Sequence, residues 1–515
     1  MKVEACAVDL HSHACDLAVF CGWKGNEQLE DTAGRVDPAL QEVCSELLAA
    51  GGFTGEIGEA VVIYTRGAIG APRMLLVGLG TAEALDLEKL REIGGVIARK
   101  ANELRVRSIA VVSPEVQETS VCPRSAVEAL TTGMLLGFYK YPKNSNELGD
   151  RSPWQLEELA LLAEQEELQA VADGAKIGRC IAEAASFVRT WINHPSNIAT
   201  ADALEAEIQG MTHRLGLNFT ALDCAALERE DMGLLLAVGQ GARQPPRVLI
   251  VEHRPETVSD PSVGPVVLIG KGILFDSGGY SLKSPESMRG MNTDMAGSAV
   301  VLGTLQLVAK IDLPLHVIGI APIVENLVGR EAYKPSDVFF AKNGKSVEIR
   351  STDAEGRLIL ADSLCYADKL APSLVVDVAT LTGAKTVALG QRTSALFCGD
   401  DPLCESLLRA GQKAGEPMWR MPLYPEYDRQ LESRVADLTN SGGRSAGSVT
   451  AARFLSNFVG AWPWAHIDFS SVYRDEPEFT PRSYLSPGAS DVPLRTLVEF
   501  LRERTLRQDE PASEE

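Results

Sequence analysis

A chain of 515 residues with a formal net charge of −21 is long enough for more than one domain and a sizeable apolar core. The acidic charge disfavours electrostatic binding of the whole surface to nucleic acid or to anionic membranes. None of its apolar stretches is long enough to span a bilayer. We therefore expect a globular multidomain protein without a membrane partner.

The N-terminal segment and the cysteines indicate a cytoplasmic location. Residues 1–16 lack the apolar run and small-residue cleavage site of a signal peptide. The 10 cysteines are scattered and form no CxxC pair. Free thiols in a reducing compartment are therefore favoured over disulfides or zinc knuckles.

Residues 1 to about 165 alternate short apolar runs with helical patterns, which predicts an α/β domain with a substantially parallel sheet. The apolar runs predict strands at 17–20, 60–64, 74–77, 108–112 and 159–162. Helical periodicity predicts helices at 38–50, 86–104 and 125–136.

Gly78 and Gly80 follow one of these strands in LLVGLGTAEA, which resembles part of a dinucleotide-binding fingerprint. Glu83 occupies the third glycine position, so a tight strand-to-helix turn is favoured. A nucleotide-binding or DNA-linked regulatory role of this domain is the disfavoured alternative, because the fingerprint is broken and the chain is acidic.

A long helical pattern at 165–192 contains Gly174 and Gly178 and ends before Pro195. Beyond it, strands are predicted at 248–252, 266–269, 316–320, 346–349, 374–378 and 465–469. Helices are predicted at 295–309, 358–370, 402–414 and 449–458. This alternation predicts a second α/β domain whose active loops gather at one edge of the sheet.

Two polar stretches follow predicted strands of this second domain. The first begins after the strand at 266–269 and carries Lys271, Asp276, Lys283 and Asp294. The second, STDAEGRLILAD, occupies 351–362.

The second stretch places two acids and an arginine close together. Asp353 and Glu355 are two residues apart, so they face the same side of an extended segment. Arg357 follows at the start of a predicted helix.

The acids and bases of these stretches have the chemistry of a metal site. Clustered carboxylates repel one another unless cations share the site, and four of them suit a pair of divalent metals. A desolvated Lys271 could lose its proton and serve as a nitrogen ligand. Lys283 and Arg357 would stay cationic and stabilise developing negative charge. Spacing alone does not show convergence, and solvated loop charges remain the open alternative.

The segments GKGILFDSGGYSLK, MNTDMAG and STDAEGRL resemble the signatures of the leucyl aminopeptidase family, the M17 cytosol aminopeptidases. The resemblance continues through DVATLTGA, NSGGRSAGSVTAARFL and WAHIDFSS. The segments FDSGGY, PMWRMPL and HIDFSSVYR look most like the bacterial peptidase B branch.

This resemblance implies an overall architecture and an activity. The fold would be α/β, with a smaller N-terminal α/β domain at 1–175 and a larger C-terminal α/β/α catalytic domain at 176–515. A linker helix at about 165–192 would join them, and the catalytic domain would have a mixed central sheet. The protein would be a homohexameric, two-metal aminopeptidase that releases single N-terminal residues, preferably leucine and other apolar residues, from peptides.

The resemblance also implies the metal ligands. Two divalent ions per subunit would activate water and polarise the scissile carbonyl. We expect Mn²⁺ or Zn²⁺, and the mixed oxygen and amine ligands also allow Co²⁺ or Mg²⁺. The tighter ion would be held by Lys271, Asp276, Asp294 and Glu355. The more exchangeable ion would be held by Asp276, Asp353 and Glu355.

Five further residues receive roles from the resemblance. Lys283 would stabilise the oxyanion, and Arg357 would anchor a bicarbonate that acts as general base. Met291, Thr380 and Gly383 match positions that line the pocket for the first residue.

The chain departs from the family pattern at a few positions. Ser351 stands where asparagine is usual, Thr293 where a different small residue is commoner, and Ser490–Asp491 where Thr-Gly is usual. These departures put fine specificity and loop geometry in question. None removes a ligand, which disfavours the alternative of an inactive binding or scaffold protein on the same fold.

Overall fold

The computed structural model describes residues 1–7, 13–25, 38–114, 116, 119–141, 156–257, 263–473 and 482–508. The chain divides into two compact units, 1–186 with 475–486 and 187–474 with 487–515. This division falls within the helix Leu168–Asn193; the predicted boundary at 175 to 176 lies in the same helix and stays a prediction. Within the described ranges, none of the helices combines the length and hydropathy needed to cross a membrane.

The first unit contains one six-stranded sheet and helices on both of its faces. Its strands are β1 Lys2–Ala7, β2 Leu17–Trp23, β3 Ala60–Tyr64, β4 Arg73–Gly80, β5 Ser108–Val112 and β6 Glu158–Ala163. Its helices are α1 Pro38–Ala49, α2 Leu87–Leu104, α3 Pro123–Gly137 and the first part of α4 Leu168–Asn193. The strand order is β1-β6-β5-β2-β4-β3, and every pairing except β3 with β4 is parallel.

Alternation along the strands of this sheet produces two apolar layers. Leu17 and Val19 of β2 pack with residues of α2 and α3, whereas Ala18 and Phe20 belong to the layer that includes Cys44 of α1. Close packing requires a glycine at position 78, because a Cβ there would lie 2.0 Å from the carbonyl oxygen of Glu56. The mostly parallel pairings and the two apolar layers confirm the predicted α/β domain with a substantially parallel sheet.

The second unit is built on a nine-stranded mixed sheet. Its strands are β7 Asn218–Leu222, β8 Arg247–His253, β9 Val266–Gly270, β10 Gly272–Asp276, β11 Val317–Asn326, β14 Leu374–Ala379, β15 Ser394–Cys398, β16 Met418–Arg420 and β18 Trp464–Asp468. Their order is β16-β15-β18-β14-β9-β11-β8-β7, and β10 also pairs with β11. Smaller sheets are formed by β12 Val338–Phe340, β13 Ser346–Glu348 and β17 Leu438–Thr439, and by β19 Val472–Tyr473 and β20 Gly488–Ala489.

Helices cover both faces of this sheet. Besides the end of α4, the helices of this unit among the described residues are α5 Ala201–Leu215, α6 Cys224–Arg229, α7 Gly233–Gly239, α8 Pro285–Met288, α9 Ala296–Lys310, α10 Gly356–Ala367, α11 Gly383–Leu389, α12 Asp401–Ala414, α13 Gly447–Ser456 and α14 Leu494–Gln508. Val267 and Ile269 of β9 share an apolar cluster with Leu358 of α10. Gly270, on the opposite face of β9, lies against Gly297 of α9. The α/β/α arrangement with a mixed sheet is therefore confirmed.

Some element boundaries differ from the sequence prediction. Strand β11 continues beyond 320 to Asn326 because β10 pairs along its second half. The strand predicted at 346–349 belongs to the small sheet with β12 and β17 rather than to the central sheet. The helix predicted at 358–370 ends at Ala367, and a 3₁₀ turn at Asp368–Leu370 follows.

The close approach of α9 to β9 depends on glycine. A Cβ at Gly297 would lie 2.3 Å from the carbonyl oxygen of Val378 and 2.6 Å from the amide nitrogen of Lys271. The N-terminus of α9 therefore touches the backbone at the ends of two central strands.

We expect Gly297→Ala to destabilise the protein by about 1–3 kcal/mol, because the added methyl group has no space. Gly399→Ala is the matched control, since a Cβ at Gly399 meets no atom within 4 Å. Thermal unfolding should show a lower midpoint for the first variant and little change for the second. Equal midpoints for both variants would contradict the close packing.

Candidate active site

The carboxyl ends of the central strands border a cleft of about 1020 Å³ in the second unit. Strands β9 and β14 are parallel neighbours, so Lys271 and Thr380, which follow them, emerge at the same edge of the sheet. Asp276 ends β10, and Asp294 lies in a 3₁₀ turn immediately before α9. The residues predicted for the site all line this cleft: Lys271, Asp276, Lys283, Met291, Asp294, Asp353, Glu355, Arg357, Thr380 and Gly383.

Lys271 forms ion pairs with two carboxylates. Its Nζ lies 2.8 Å from Asp294 Oδ2 and 2.9 Å from Glu355 Oε1, and all three side chains are buried. The side chain of Lys271 also lies against Gly356, where a Cβ would be 2.4 Å from Lys271 Cε. The glycine that follows Glu355 therefore leaves room for the lysine.

Lys283 balances the charge of the other two carboxylates. Its Nζ lies 2.8 Å from Asp276 Oδ2 and also pairs with Asp353 Oδ1. Asp276 Oδ1 additionally accepts hydrogen bonds from the amide of Gly278 and from Asn326 Nδ2, both at 2.8 Å.

Burial and mutual repulsion perturb the acids of the cluster. Burial raises the pKa of Asp294 to about 7 and that of Asp353 to about 6, even though lysines lie beside them. Burial alone would lower the pKa of Lys271, but the carboxylates of Asp294 and Glu355 raise it above its ordinary value. Because Lys271 can bind a metal only without its proton, metal binding through its nitrogen would require that proton to leave.

The donor set fits divalent cations. Oxygen atoms of Asp276, Asp353 and Glu355 lie within 4.8 Å of one another. Glu355 Oε2 is buried and accepts no hydrogen bond from any of the described residues. A buried acceptor without a donor is costly, and a cation bound by carboxylate oxygens would satisfy it.

Arg357 lies on the cleft wall close to these acids. Its Nη1 donates a hydrogen bond of 2.8 Å to the carbonyl oxygen of Asn440, and its Nε has no acceptor among the described residues. Burial lowers the pKa of Arg357 to about 10, which leaves it cationic at neutral pH. An anion in this part of the cleft would therefore meet a positive charge.

Thr380 connects the metal-site cluster to the rest of the cleft. Its hydroxyl donates to Asp294 Oδ1 at 2.6 Å, and its carbonyl oxygen accepts from Lys271 Nζ at 3.2 Å. Met291 and Gly383 line the same cleft, and a Cβ at Gly383 would meet no atom within 4 Å. The space beside Gly383 is therefore open.

Two asparagines support the site but are not among the residues predicted from the sequence. Asn326 Nδ2 bridges Asp276 Oδ1 and the carbonyl oxygen of Thr352. Asn440 Oδ1 accepts from the amides of Arg350 and Ser351, and its Nδ2 donates to the carbonyl oxygen of Ser351 at 2.7 Å. Asn440 begins NSGGRSAG, part of a segment that resembles the family pattern, so the sequence could have marked it as a site residue. No such motif surrounds Asn326.

The departures from the family pattern take part in local hydrogen bonds. Ser351 Oγ accepts from the amide of Asp353 at 3.2 Å, and Thr293 Oγ1 accepts from Ser471 Oγ at 3.0 Å. Ser490 Oγ accepts from the amide of Val492 at 3.3 Å, and Asp491 is buried and pairs with Arg495 at 2.7 Å. Each substituted side chain therefore has a partner in this structure.

Comparison with protein-family models assigns both parts of the chain. The model described as the cytosol aminopeptidase family, catalytic domain, matches residues 186–498. The model of the N-terminal domain of the same family matches residues 17–146. Together they match well over half of the sequence.

Curated relatives match along almost the whole chain. A probable cytosol aminopeptidase of Roseiflexus castenholzii is 37% identical over 505 residues, which cover 98% of this chain and 100% of the relative. A probable cytosol aminopeptidase of Geobacter sulfurreducens is 39% identical over 504 residues, which cover 98% of this chain and 99% of the relative.

Solved structures show the same similarity. The bottromycin maturation enzyme BotP, in complex with Mn, superimposes with a TM-score of 0.81 at 33% identity, covering 96% of this chain and 100% of BotP. A mutant of tomato leucine aminopeptidase superimposes with a TM-score of 0.80 at 29% identity, covering 98% of this chain and 96% of the tomato chain. The chain therefore belongs to the cytosol aminopeptidase family and is a metallo-aminopeptidase, a hydrolase that acts at the N-termini of peptides.

Proposed function

We propose that this enzyme uses two divalent metal ions to release single N-terminal residues, preferably leucine and other apolar residues, from peptides. The observation that carries the proposal is the convergence of Lys271 and four carboxylates in one cleft. Three of these carboxylates offer oxygen atoms within 4.8 Å of one another, which suits a shared pair of cations.

The metal ligands proposed for the tighter ion are Lys271, Asp276, Asp294 and Glu355. For the second ion we propose Asp276, Asp353 and Glu355, so that two carboxylates are shared. When bound, two such ions supply a Lewis acid for the scissile carbonyl and lower the pKa of water. Mn²⁺ and Zn²⁺ are the proposed ions, and BotP was solved with Mn.

The lysine at 283 has the position and charge for oxyanion stabilisation. Its ammonium lies in the cleft, mostly buried, beside Asp276 and Asp353. Burial alone would lower the pKa of Lys283, but the neighbouring carboxylates raise it, so the group stays protonated. A fixed cation in a water-poor site can stabilise the negative charge that develops on a carbonyl oxygen.

Arg357 is the proposed anchor of a bicarbonate that accepts a proton from the attacking water. Its side chain lines the cleft at the start of α10, where the first backbone amides of a helix also favour an anion. Because its pKa of about 10 keeps Arg357 cationic at neutral pH, the side chain has the charge that this role requires.

The substrate is held at its N-terminal end in this proposal. Asp294 would accept a hydrogen bond from the free α-amine, and its carboxylate is already oriented by the hydroxyl of Thr380. Met291, Thr380 and Gly383 would surround the first side chain. A flexible methionine beside the open space at Gly383 accommodates varied aliphatic shapes.

We also propose that the enzyme is a cytoplasmic homohexamer. The names of the curated relatives and the free cysteines of this chain support the location. The hexamer rests on the resemblance to the family, and a closed symmetric assembly is the usual form of soluble oligomers.

We predict that Asp353→Asn or Glu355→Gln abolishes turnover and lowers the metal content, because each removes a charged metal ligand. Circular dichroism should show an intact fold, and elemental analysis should report the bound metal. Glu331→Gln is the control, since this carboxylate is exposed and outside the cleft. Full activity of either site variant would refute the ligand assignment.

Lys283→Ala should lower kcat by roughly 10²–10³, the usual loss for one oxyanion-stabilising donor. The variant should retain both metals, because the proposed role of Lys283 concerns the oxyanion. Lys334→Ala, which removes a lysine whose side chain is 62% exposed, is the control. Loss of metal from Lys283→Ala would argue against the proposed role.

We expect the enzyme to require a free N-terminal amine and to prefer an apolar first residue. An acetylated nitrogen cannot make the proposed contact with Asp294. One methylene in such a pocket is worth about 1–3 kcal/mol, so selectivity among leucine, methionine and similar residues should be broad. The measurement is kcat/KM for a panel of X-Leu dipeptides with N-acetyl-Leu-Leu as the blocked control. Efficient cleavage of the acetylated peptide would rule out amine anchoring.

A further inference from the structure

Asp468 is a buried carboxylate that is absent from the proposed catalytic machinery. It ends the central strand β18, is 1% exposed, and pairs in register with Ala379, the last residue of β14. Burying an ionisable side chain is costly unless hydrogen bonds compensate, so its contacts indicate what it does.

The contacts of Asp468 converge on the loop that follows β14. Its Oδ1 accepts hydrogen bonds from the amides of Leu381 at 3.0 Å and Thr382 at 3.4 Å. Its Oδ2 accepts from the hydroxyl of Thr382 at 2.7 Å. One carboxylate therefore holds the loop 380–382 at three points.

The same loop faces the metal-site cluster on its other side. The hydroxyl of Thr380 donates to Asp294 Oδ1, and the carbonyl oxygen of Thr380 accepts from Lys271 Nζ. A shift of the loop would therefore change the orientation of Asp294, the proposed partner of the substrate amine.

The loop also sets the start of α11. Thr382 caps this helix by accepting from the amide of Lys385 at 3.2 Å. The Nζ of Lys385 donates to Ser470 Oγ at 2.9 Å, which ties α11 to the chain just beyond Asp468. Gly383, on the proposed pocket wall, lies between these two attachments.

We propose that Asp468 is a positioning residue that fixes the loop 380–382 and thereby sets both the first-residue pocket and the orientation of Asp294. The inference rests on the proposed function, because the proposed function is what assigns the first-residue pocket to Thr380 and Gly383. Without the carboxylate, two partly buried amides and one hydroxyl lose their acceptor, and the loop gains alternative positions. The enzyme then discriminates less well between substrates with different first residues, because the pocket wall no longer has one position.

The test compares Asp468→Ala with Asp468→Asn and with a matched control, Asp362→Ala. Asp362 is also fully buried and also accepts from two backbone amides, those of Leu235 and Lys342, each at 2.9 Å. It does not line the cleft. Asp468→Asn keeps one oxygen for the loop amides and should preserve part of the discrimination between first residues.

The first readout is the ratio of kcat/KM for Leu-Leu to kcat/KM for Gly-Leu. This ratio does not depend on the fraction of folded enzyme, so a merely destabilised variant leaves it unchanged. We expect Asp468→Ala to lower the ratio by at least roughly 10-fold, the low end for an altered pocket contact. Asp468→Asn should give an intermediate ratio, and Asp362→Ala should give the ratio of the unmodified enzyme.

The second readout is hydrogen exchange of the amides of Leu381 and Thr382, which needs no catalysis. Exchange should accelerate in Asp468→Ala and not in Asp362→Ala, because the loop opens locally. An unchanged substrate ratio in Asp468→Ala, or unchanged exchange at these amides, would overturn the proposal. If the unmodified enzyme hydrolyses neither dipeptide, the proposed function fails, and the exchange measurement alone decides whether Asp468 holds the loop.

Discussion

The charge balance between four carboxylates and two lysines is the constraint on which the site depends. Four acids this close together repel one another, and burial raises the pKa of Asp294 and Asp353 well above ordinary values. Lys271 and Lys283 each bridge two of the acids, and divalent cations at the same oxygens would serve the same electrostatic purpose. The arrangement is therefore built to hold positive charge.

The sheet brings these groups together because backbones approach one another closely. Lys271 leaves the end of β9, its amide donates to the carbonyl oxygen of Val378, and its own carbonyl oxygen accepts from the amide of Ser298. Gly297 and Gly356 leave no side chain in the way of the lysine. The position of one charged side chain thus depends on two glycines from distant parts of the chain.

Around the charged groups, neutral and acidic side chains hold the loops rather than the substrate. Asn326 fixes Asp276, Asn440 fixes the segment at 350–351, and Asp468 fixes the loop at 380–382. Each is buried, so its hydrogen bonds form away from competing water. A substrate can then meet a site whose geometry is already established, which is what differential binding of a transition state requires.

Local patterns in the sequence determined the strands and helices, since hydrophobic periodicity is a property of neighbouring residues. The strands at 17–20, 74–77, 266–269 and 374–378 and the helix at 402–414 lie where they were predicted. Strand β10 was not predicted, because a single residue separates it from β9 and the two appear in the sequence as one run.

The motif resemblance identified the candidate ligands. The tertiary structure decided that Asp294 and Glu355 share Lys271, that β13 leaves the central sheet, and that Asn326 and Asp468 support the cleft. These facts depend on the order and register of strands far apart in the chain, which no local pattern encodes.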